Sequence, residues 1–454
     1  MQRVFKGFTL LLGSLVLLAA LSLGGWHLLD GTPEVAEAVA SQNSFNAERL
    51  LILADADMAA TAYADGVLYP IEDATDQLLS LSDFGNGLEA SLSVSNTVMG
   101  WPGSMVANET YAYVVTSRGQ IDRSVQALPE GVNAEMPTGD LLTTVDLTNG
   151  EVISETEVCL KPLSVDLAAS GNWLLVACGD AGNELAVVAL DSGLPAEIRR
   201  FDLDVPSYSA REGSAGATYA VIHPGGTAAG VVLEDQAVTL VELEPDASGI
   251  PASVSAEEPQ LFQDRWLSVA RWTQSGNHLL LADVNWGPTP IDALLNRAGS
   301  IISLALSPAE EIRGLVSEAK VSKSPEAFEM NWDGDLLAVV NMERSYLPGG
   351  FPTGLAPGRG ASSLSLVGVD DATGELTTFG EPIGFRGVLP EDAAFDADGD
   401  KIAVVIYQDH DAPRSEGWLS FFEVEHSTGE PRLRLTDERV ELPRGAHDLF
   451  VIYE

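Results

Sequence analysis

Short apolar runs, four to seven residues long and rich in Val, Ile, Leu and Tyr, recur through most of the chain between clusters of Gly, Asp, Asn and Ser. Runs of that length, stopped by turn formers, predict β-strands. Long helical periodicity is confined to the N-terminal segment. The strands group into one repeated unit: a strand, a tight turn with Gly, a strongly apolar strand, a loop, another apolar strand, then an Asp/Gly turn. The clearest copy runs from Ser324 to Gly334 and on through Asp335-Leu-Leu-Ala-Val-Val-Asn341. Its third strand is Ser363 to Asp370, turning at Asp371-Ala-Thr-Gly374. Leu389 to Gly399 with Asp400 to Ile406 is a second copy, and Pro162 to Gly171 with Asn172 to Cys178 a third.

Turns of this kind fall at 66, about 109, 171, 226, 276, 334 and 399, which predicts seven units. Each unit has the size of one four-stranded blade. The expected fold is therefore all-β: a seven-bladed β-propeller of four-stranded antiparallel blades over 48–454, preceded by an N-terminal hydrophobic helix. A solenoid is the alternative, but ring closure removes exposed sheet edges. Pro443 to Tyr453 reads as the opening strand of a further unit, and Leu50 to Leu53 is an apolar strand without a unit. One of them should complete a blade begun at the other terminus.

The repeats resemble those of the lactonase-like, or YVTN-type, seven-bladed propeller family, which are WD40-like in size. The matching elements are a Pro nine residues before the turn glycine (Pro162, Pro325, Pro390), the Asp-Gly turn, and the Leu-Ala-Val-Val strand after it. The turn ending at Glu375 fits too, and Asp146 to Glu151 is close. The resemblance covers roughly 48–454 and implies a fold. Such repeats serve enzymes, sensors and scaffolds alike.

Arg3 and Lys6 precede an apolar run from Gly7 to Leu29, so 1–30 reads as an export signal or an N-terminal membrane anchor. Cleavage could follow Ser22-Leu23-Gly24 or, farther from the apolar run, Ala38-Val39-Ala40. In either case the remainder is expected outside the cytoplasm, periplasmic or extracellular, with 31–47 as a polar linker. Lys and Arg total 24 against 67 Asp and Glu, a formal charge of −43. Such an acidic chain is a poor partner for nucleic acid, and any membrane contact is assigned to the N-terminal segment alone. The hydrophobic fraction of 45% argues against disorder.

Cys159 begins the innermost strand of the third unit and Cys178 ends the strand antiparallel to it. In an oxidising compartment the pair should form a disulfide; metal binding and a reactive thiol are the alternatives. The second-to-third-strand loops share one rim of a propeller. Four of them are long: Ser117 to Asp140, Trp286 to Ser300, Met342 to Ser362 and Tyr407 to Trp418. Long loops on a rigid scaffold are favoured binding positions. The binding candidates are Trp286, Arg344, Tyr346, Phe351, Asp409 and His410.

Glu326 and Glu391 sit at equivalent positions near the start of innermost strands, and Arg444 aligns with them in the tail, followed by His447-Asp448. Together these could form an acid/base or cation-binding cluster at the channel mouth. Asp409-His-Asp411 offers too few ligands for a metal, and Asp396 to Asp400 is a repeat turn that lacks calcium-loop spacing. Gly85-Asn-Gly87 has no strand–helix unit around it. No metal or cofactor is expected. Two functions follow as expectations. The first is a non-catalytic module binding another extracytoplasmic protein through the long-loop rim. The alternative, implied by the resemblance, is a lactonase-like hydrolase using Glu326, Glu391, Arg444 or His447 on a small cyclic ester.

Overall fold

The computed structural model describes residues 33–42, 44–56, 75–82, 84, 88–98, 100–119, 136–208, 216–286, 297–306, 312–345, 360–409, 416–426 and 429–453. Seven antiparallel sheets form, each with four strands in consecutive order; the fourth carries one short extra strand, Gln260–Leu261. The innermost strands are Ala446–Ile452 in blade 1, Met105–Ala107 in blade 2, Pro162–Leu167 in blade 3 and Ala217–Ile222 in blade 4. Leu267–Trp272, Pro325–Met330 and Ala393–Phe395 follow in blades 5, 6 and 7. Each innermost strand packs on that of the next blade, and blade 7 on blade 1, so the ring is closed.

The burial pattern explains why the repeat is legible. Second strands such as Trp173–Cys178, Leu336–Asn341 and Lys401–Ile406 are buried along their whole length. They lie between neighbouring blades on both faces, so they read as continuous apolar runs. The outer strands Glu151–Glu157 and Pro251–Ala256 have one wet face and read as polar. Asp146, Asp370 and Asp396 fold back on their own turns, accepting N–H bonds from residues two to five positions on. That is the physical reason the turns carry aspartate.

Ring closure is settled. The C-terminal strand Ala446–Ile452 is the innermost strand of blade 1, antiparallel to Arg49–Ala54, with Leu50 opposite Val451 and Leu53 opposite Asp448. The other three strands of that blade come from the N-terminal side, ending at Gln77–Leu81 and Ala90–Ser93. Gly445 enters this strand at φ 95°, where a Cβ would lie 2.1 Å from the Asp55 carbonyl oxygen; a side chain there would break the seal. This arrangement corrects the expected turn at Gly66. That residue lies outside the described residues, but 55–76 joins the second strand of blade 1 to its third, so six tight first-to-second-strand turns and one closure make the ring.

Of the expected linker 31–47, the described residues 33–42 and 44–47 are docked on the propeller. Val35 bridges to Gly384 and Val39 to Thr436, on the outer strands of blades 6 and 7. Phe45 is 3% exposed and packs edge-on against Phe84 and Phe421. No helix is present among the described residues, and none of them is in a helix able to cross a membrane. The expected hydrophobic helix over 1–30 lies outside the described residues. Cys159 and Cys178 are disulfide-bonded, with Cα atoms 6.1 Å apart. Cys159 lies in the link three residues before the innermost strand, not at that strand's start as expected, and the bond ties this link to the end of blade 3's second strand.

Candidate active site

Strand register aligns the seven channel walls. Phe328, Ala393 and Leu449 each pair with the fourth residue of their blade's second strand. Two residues earlier stand Glu326, Glu391 and His447, in blades 6, 7 and 1. The same position is held by Gly103, Leu163, Thr218 and Ser268 in the other four blades. Three consecutive blades therefore present ionisable side chains at one level of the channel, at the end where second-to-third-strand connections gather. All three are buried: Glu326 is 5%, Glu391 2% and His447 2% exposed. His447 replaces Arg444 in the expected alignment. Arg444 lies three residues earlier, on the approach from blade 7, where it donates to the Ala56 carbonyl at 2.7 Å and stacks over Tyr407.

Asn96 sets the tautomer of His447. Its Nδ2 donates to the carbonyl oxygens of Ala54, Gln77 and Val94, leaving Oδ1 as the acceptor that lies 2.9 Å from His447 Nε2. The proton is thus on Nε2, and the lone pair of Nδ1 lies 3.9 Å from Glu391 Oε2. Burial drives the imidazole pKa down to about 3, so the ring is neutral at physiological pH. Burial also pushes Glu326 up to about 8. Glu391 is held well above the carboxylate range, first by desolvation and then by the charges of Glu326, Asp448, Asp55 and Asp392. Burial thus favours the protonated form of both carboxyls, and perturbed carboxyls at one channel level mark a candidate acid/base site.

Deeper in the channel is a cavity of about 240 Å³, lined by Asp166, Tyr219, Arg271, Glu329, Asp392 and Asp448 among others. Its polar groups are tied across blade boundaries. Asp448 accepts from Gly103 N, Ser104 N and Ser104 Oγ, Asp392 from Leu449 N, and Asp166 from Ile222 N. Arg271 joins Tyr219 of blade 4 to Glu329 of blade 6. These bonds hold the ring together beneath the Glu326–Glu391–His447 level.

The binding candidates separate in the structure. Trp286 donates Nε1 to Ser324 Oγ at 2.8 Å, two residues before Glu326. Arg344 is buried beside Glu343, which also faces Lys323 and accepts from Ser322 and Ser363. Asp409 takes a two-pronged bond from Arg386 on the outer strand of blade 6, away from the channel. Tyr346, Phe351 and His410 lie outside the described residues. Sequence reasoning missed Asn96, Trp101 and Trp266. Asn96 and Trp101 sit in the link from blade 1 to blade 2, which carries no repeat signal.

The long connections follow the same geography. Second-to-third-strand joints span 284–297 in blade 5, 342–360 in blade 6, 407–416 in blade 7, 55–76 in blade 1 and 119–137 in blade 2. Those of blades 3 and 4 cover only 179–184 and 234–236. The five long joints form one unbroken arc centred on the blades that carry Glu326, Glu391 and His447.

No protein-family model matches the chain, and no curated protein matches it. Solved structures do. A periplasmic gluconolactonase of Pseudomonas aeruginosa is 17% identical with a TM-score of 0.58, over 89% of this chain and 99% of that one. The fold is that of the lactonase-like seven-bladed propellers. A candidate 6-phosphogluconolactonase from Bacteroides uniformis is 13% identical with a TM-score of 0.55, covering 89% of this chain and 100% of that one. A protein from Lactobacillus plantarum gives 13% and 0.56, over 89% and 98%. At such identities the likeness to lactonase-like propellers is one of architecture, and function has to be argued from the site.

Proposed function

We propose that this lactonase-like propeller is a hydrolase that opens a cyclic ester at the rim end of its channel. The observation that carries the reading is the level formed by Glu326, Glu391 and His447, with a neutral imidazole lone pair facing a protonated carboxyl. The ionised form of the Glu326–Glu391 pair takes a proton from water as the water oxygen adds to the ester carbonyl carbon. The pair then returns that proton to the ring oxygen as the carbon–oxygen bond breaks. The product is a hydroxy acid, and the pair ends in its starting state. Asn96 orients His447, whose Nδ1 lies 3.9 Å from the Glu391 carboxyl. The fold likeness to a periplasmic gluconolactonase supports this reading without specifying a substrate.

The test is hydrolysis of a lactone panel by the full chain, followed by pH-stat titration of the acid released. E391Q and H447Q should each lower kcat by 10²-fold or more, within the usual range for acid/base groups, with folding intact by circular dichroism. Retention of full activity in both variants would exclude the channel site. A compartment outside the cytoplasm suits the disulfide and the periplasmic neighbour, and is part of this proposal.

A second reading is a non-catalytic scaffold that grips an extracytoplasmic protein through the arc of long connections. The length of those five joints favours it. Crosslinking in the native membrane should then recover one stoichiometric partner through these segments, and its loss on shortening 342–360 would support the scaffold role.

A further inference from the structure

One level above Glu326, Glu391 and His447, the channel mouth is walled by tryptophan. Trp101 lies two residues before Gly103 in the approach to blade 2, and Trp266 two residues before Ser268 in the approach to blade 5. Ser324, two residues before Glu326, holds the indole of Trp286 by the 2.8 Å bond already described. The three rings touch in series. Trp266 meets Trp286 edge-on with centroids 5.3 Å apart, and Trp286 meets Trp101 at 6.4 Å. Trp101 reaches past blade 3, donating Nε1 to Asp235 Oδ1 in the short connection of blade 4 at 2.8 Å. The polar edges of Trp101 and Trp286 are thus engaged inside the protein, while all three side chains are only partly buried. Their apolar faces are what the mouth offers.

Charge points the same way. The chain carries a formal −43, and the channel below is lined by Asp166, Glu329, Asp392 and Asp448 around Arg271, which is bonded to Glu329. Several cations near the mouth are engaged inside the fold, Lys323 and Arg344 facing Glu343 and Arg444 bonding the Ala56 carbonyl, while Lys161, level with Trp101 and Trp266 in blade 3, lies beside Arg118. An anionic substrate would have to approach against this field, whereas an uncharged one would not. Indole faces recognise flat apolar or aromatic ring surfaces by area and offset stacking.

We infer that the mouth is a specificity site for an uncharged ester whose ring presents an apolar or aromatic face, packed against Trp101, Trp266 and Trp286, and that it disfavours phosphorylated or carboxylated substrates. The inference rests on the hydrolase reading for turnover but not for binding, and the test keeps the two apart. Binding is read by calorimetry with 3,4-dihydro-2-quinolinone, a lactam that the site would not open. Turnover is read with its lactone counterpart dihydrocoumarin, with glucono-δ-lactone and with 6-phosphoglucono-δ-lactone.

The expected result is lactam binding that weakens at least tenfold in W286A and is largely retained in W286F, which keeps an aromatic face. Among the lactones, kcat/KM should be highest for dihydrocoumarin and lowest for the phosphorylated ester. Lactam binding with that tryptophan dependence but no turnover of any lactone would uphold the site and overturn the hydrolase. Equal lactam binding by wild type and by W286A of native circular dichroism would overturn the inference, as would absence of lactam binding or a preference for the phosphorylated ester.

Discussion

Glu326 and His447 titrate in opposite senses because burial penalises whichever form carries charge. Glu326 rises from 4.5 to about 8, so its contribution to stability is complete in acid and is lost as pH climbs towards 8. His447 falls from 6.5 to about 3, so its contribution is complete above 6.5 and is lost as pH drops towards 3. Urea unfolding followed from pH 4 to 9 should show E326Q flattening the alkaline decline and H447Q flattening the acid one. Unchanged slopes in both variants would remove these groups from the buried level. In the lactonase assay the same E326Q should abolish an ascending limb near pH 8. Glu326 and Glu391 were visible in the sequence because the repeat register carries them, whereas His447 entered only as a neighbour of Arg444, which was aligned in its place. The partner of His447, Asn96, was not visible, since a single amide in an irregular link has no period to reveal it. Aligning Arg444 with the two glutamates failed because the match was made on proline: the positive-φ residues Ser324 and Leu389, two before the glutamates, correspond to Gly445, whereas Pro443 lies two residues earlier still.

The N-terminal segment shows what pattern alone misses at the scale of elements. The described residues 33–42 and 44–48 form no named strand, yet they contact three blades. Their backbone bonds the outer strands of blades 6 and 7, and Asn46 caps the turn at Asp396 and Asp398. Lys401, fully buried, bonds Ser41 Oγ at 2.9 Å and Glu438. Polar, turn-rich composition looks like a linker because the partners that dock it are hundreds of positions away. F45A should remove the one large side chain it buries and cost about 3 kcal/mol, within the range for buried Phe to Ala. A change in denaturant midpoint without a change in slope would report it. Replacing Cys159 and Cys178 together by serine should cost about 3 kcal/mol on the chain-entropy model, read in the same way under oxidising conditions. The blades themselves were legible because each buried second strand is one continuous apolar run. Blade 1 was not, because its strands are split between the two ends of the chain.

At the scale of the whole molecule, charge and closure act together. With −43 formal charges and the described basic residues largely paired, raising salt should raise the thermal midpoint by screening self-repulsion. A midpoint independent of salt between 10 mM and 0.5 M would show that the acidic surface is already neutralised by bound cations. Closure has a consequence in time. Blades 2 to 7 are each built from neighbouring stretches of chain and can form as soon as they are synthesised. The pairing of Arg49–Ala54 with Ala446–Ile452 spans almost the entire chain, so blade 1 must wait until every other blade exists. Until then, an apolar edge stands open to any strand that comes near. The fold thus has a vulnerable interval written into its topology, and a cell making this protein has to keep nascent copies apart until the ring locks.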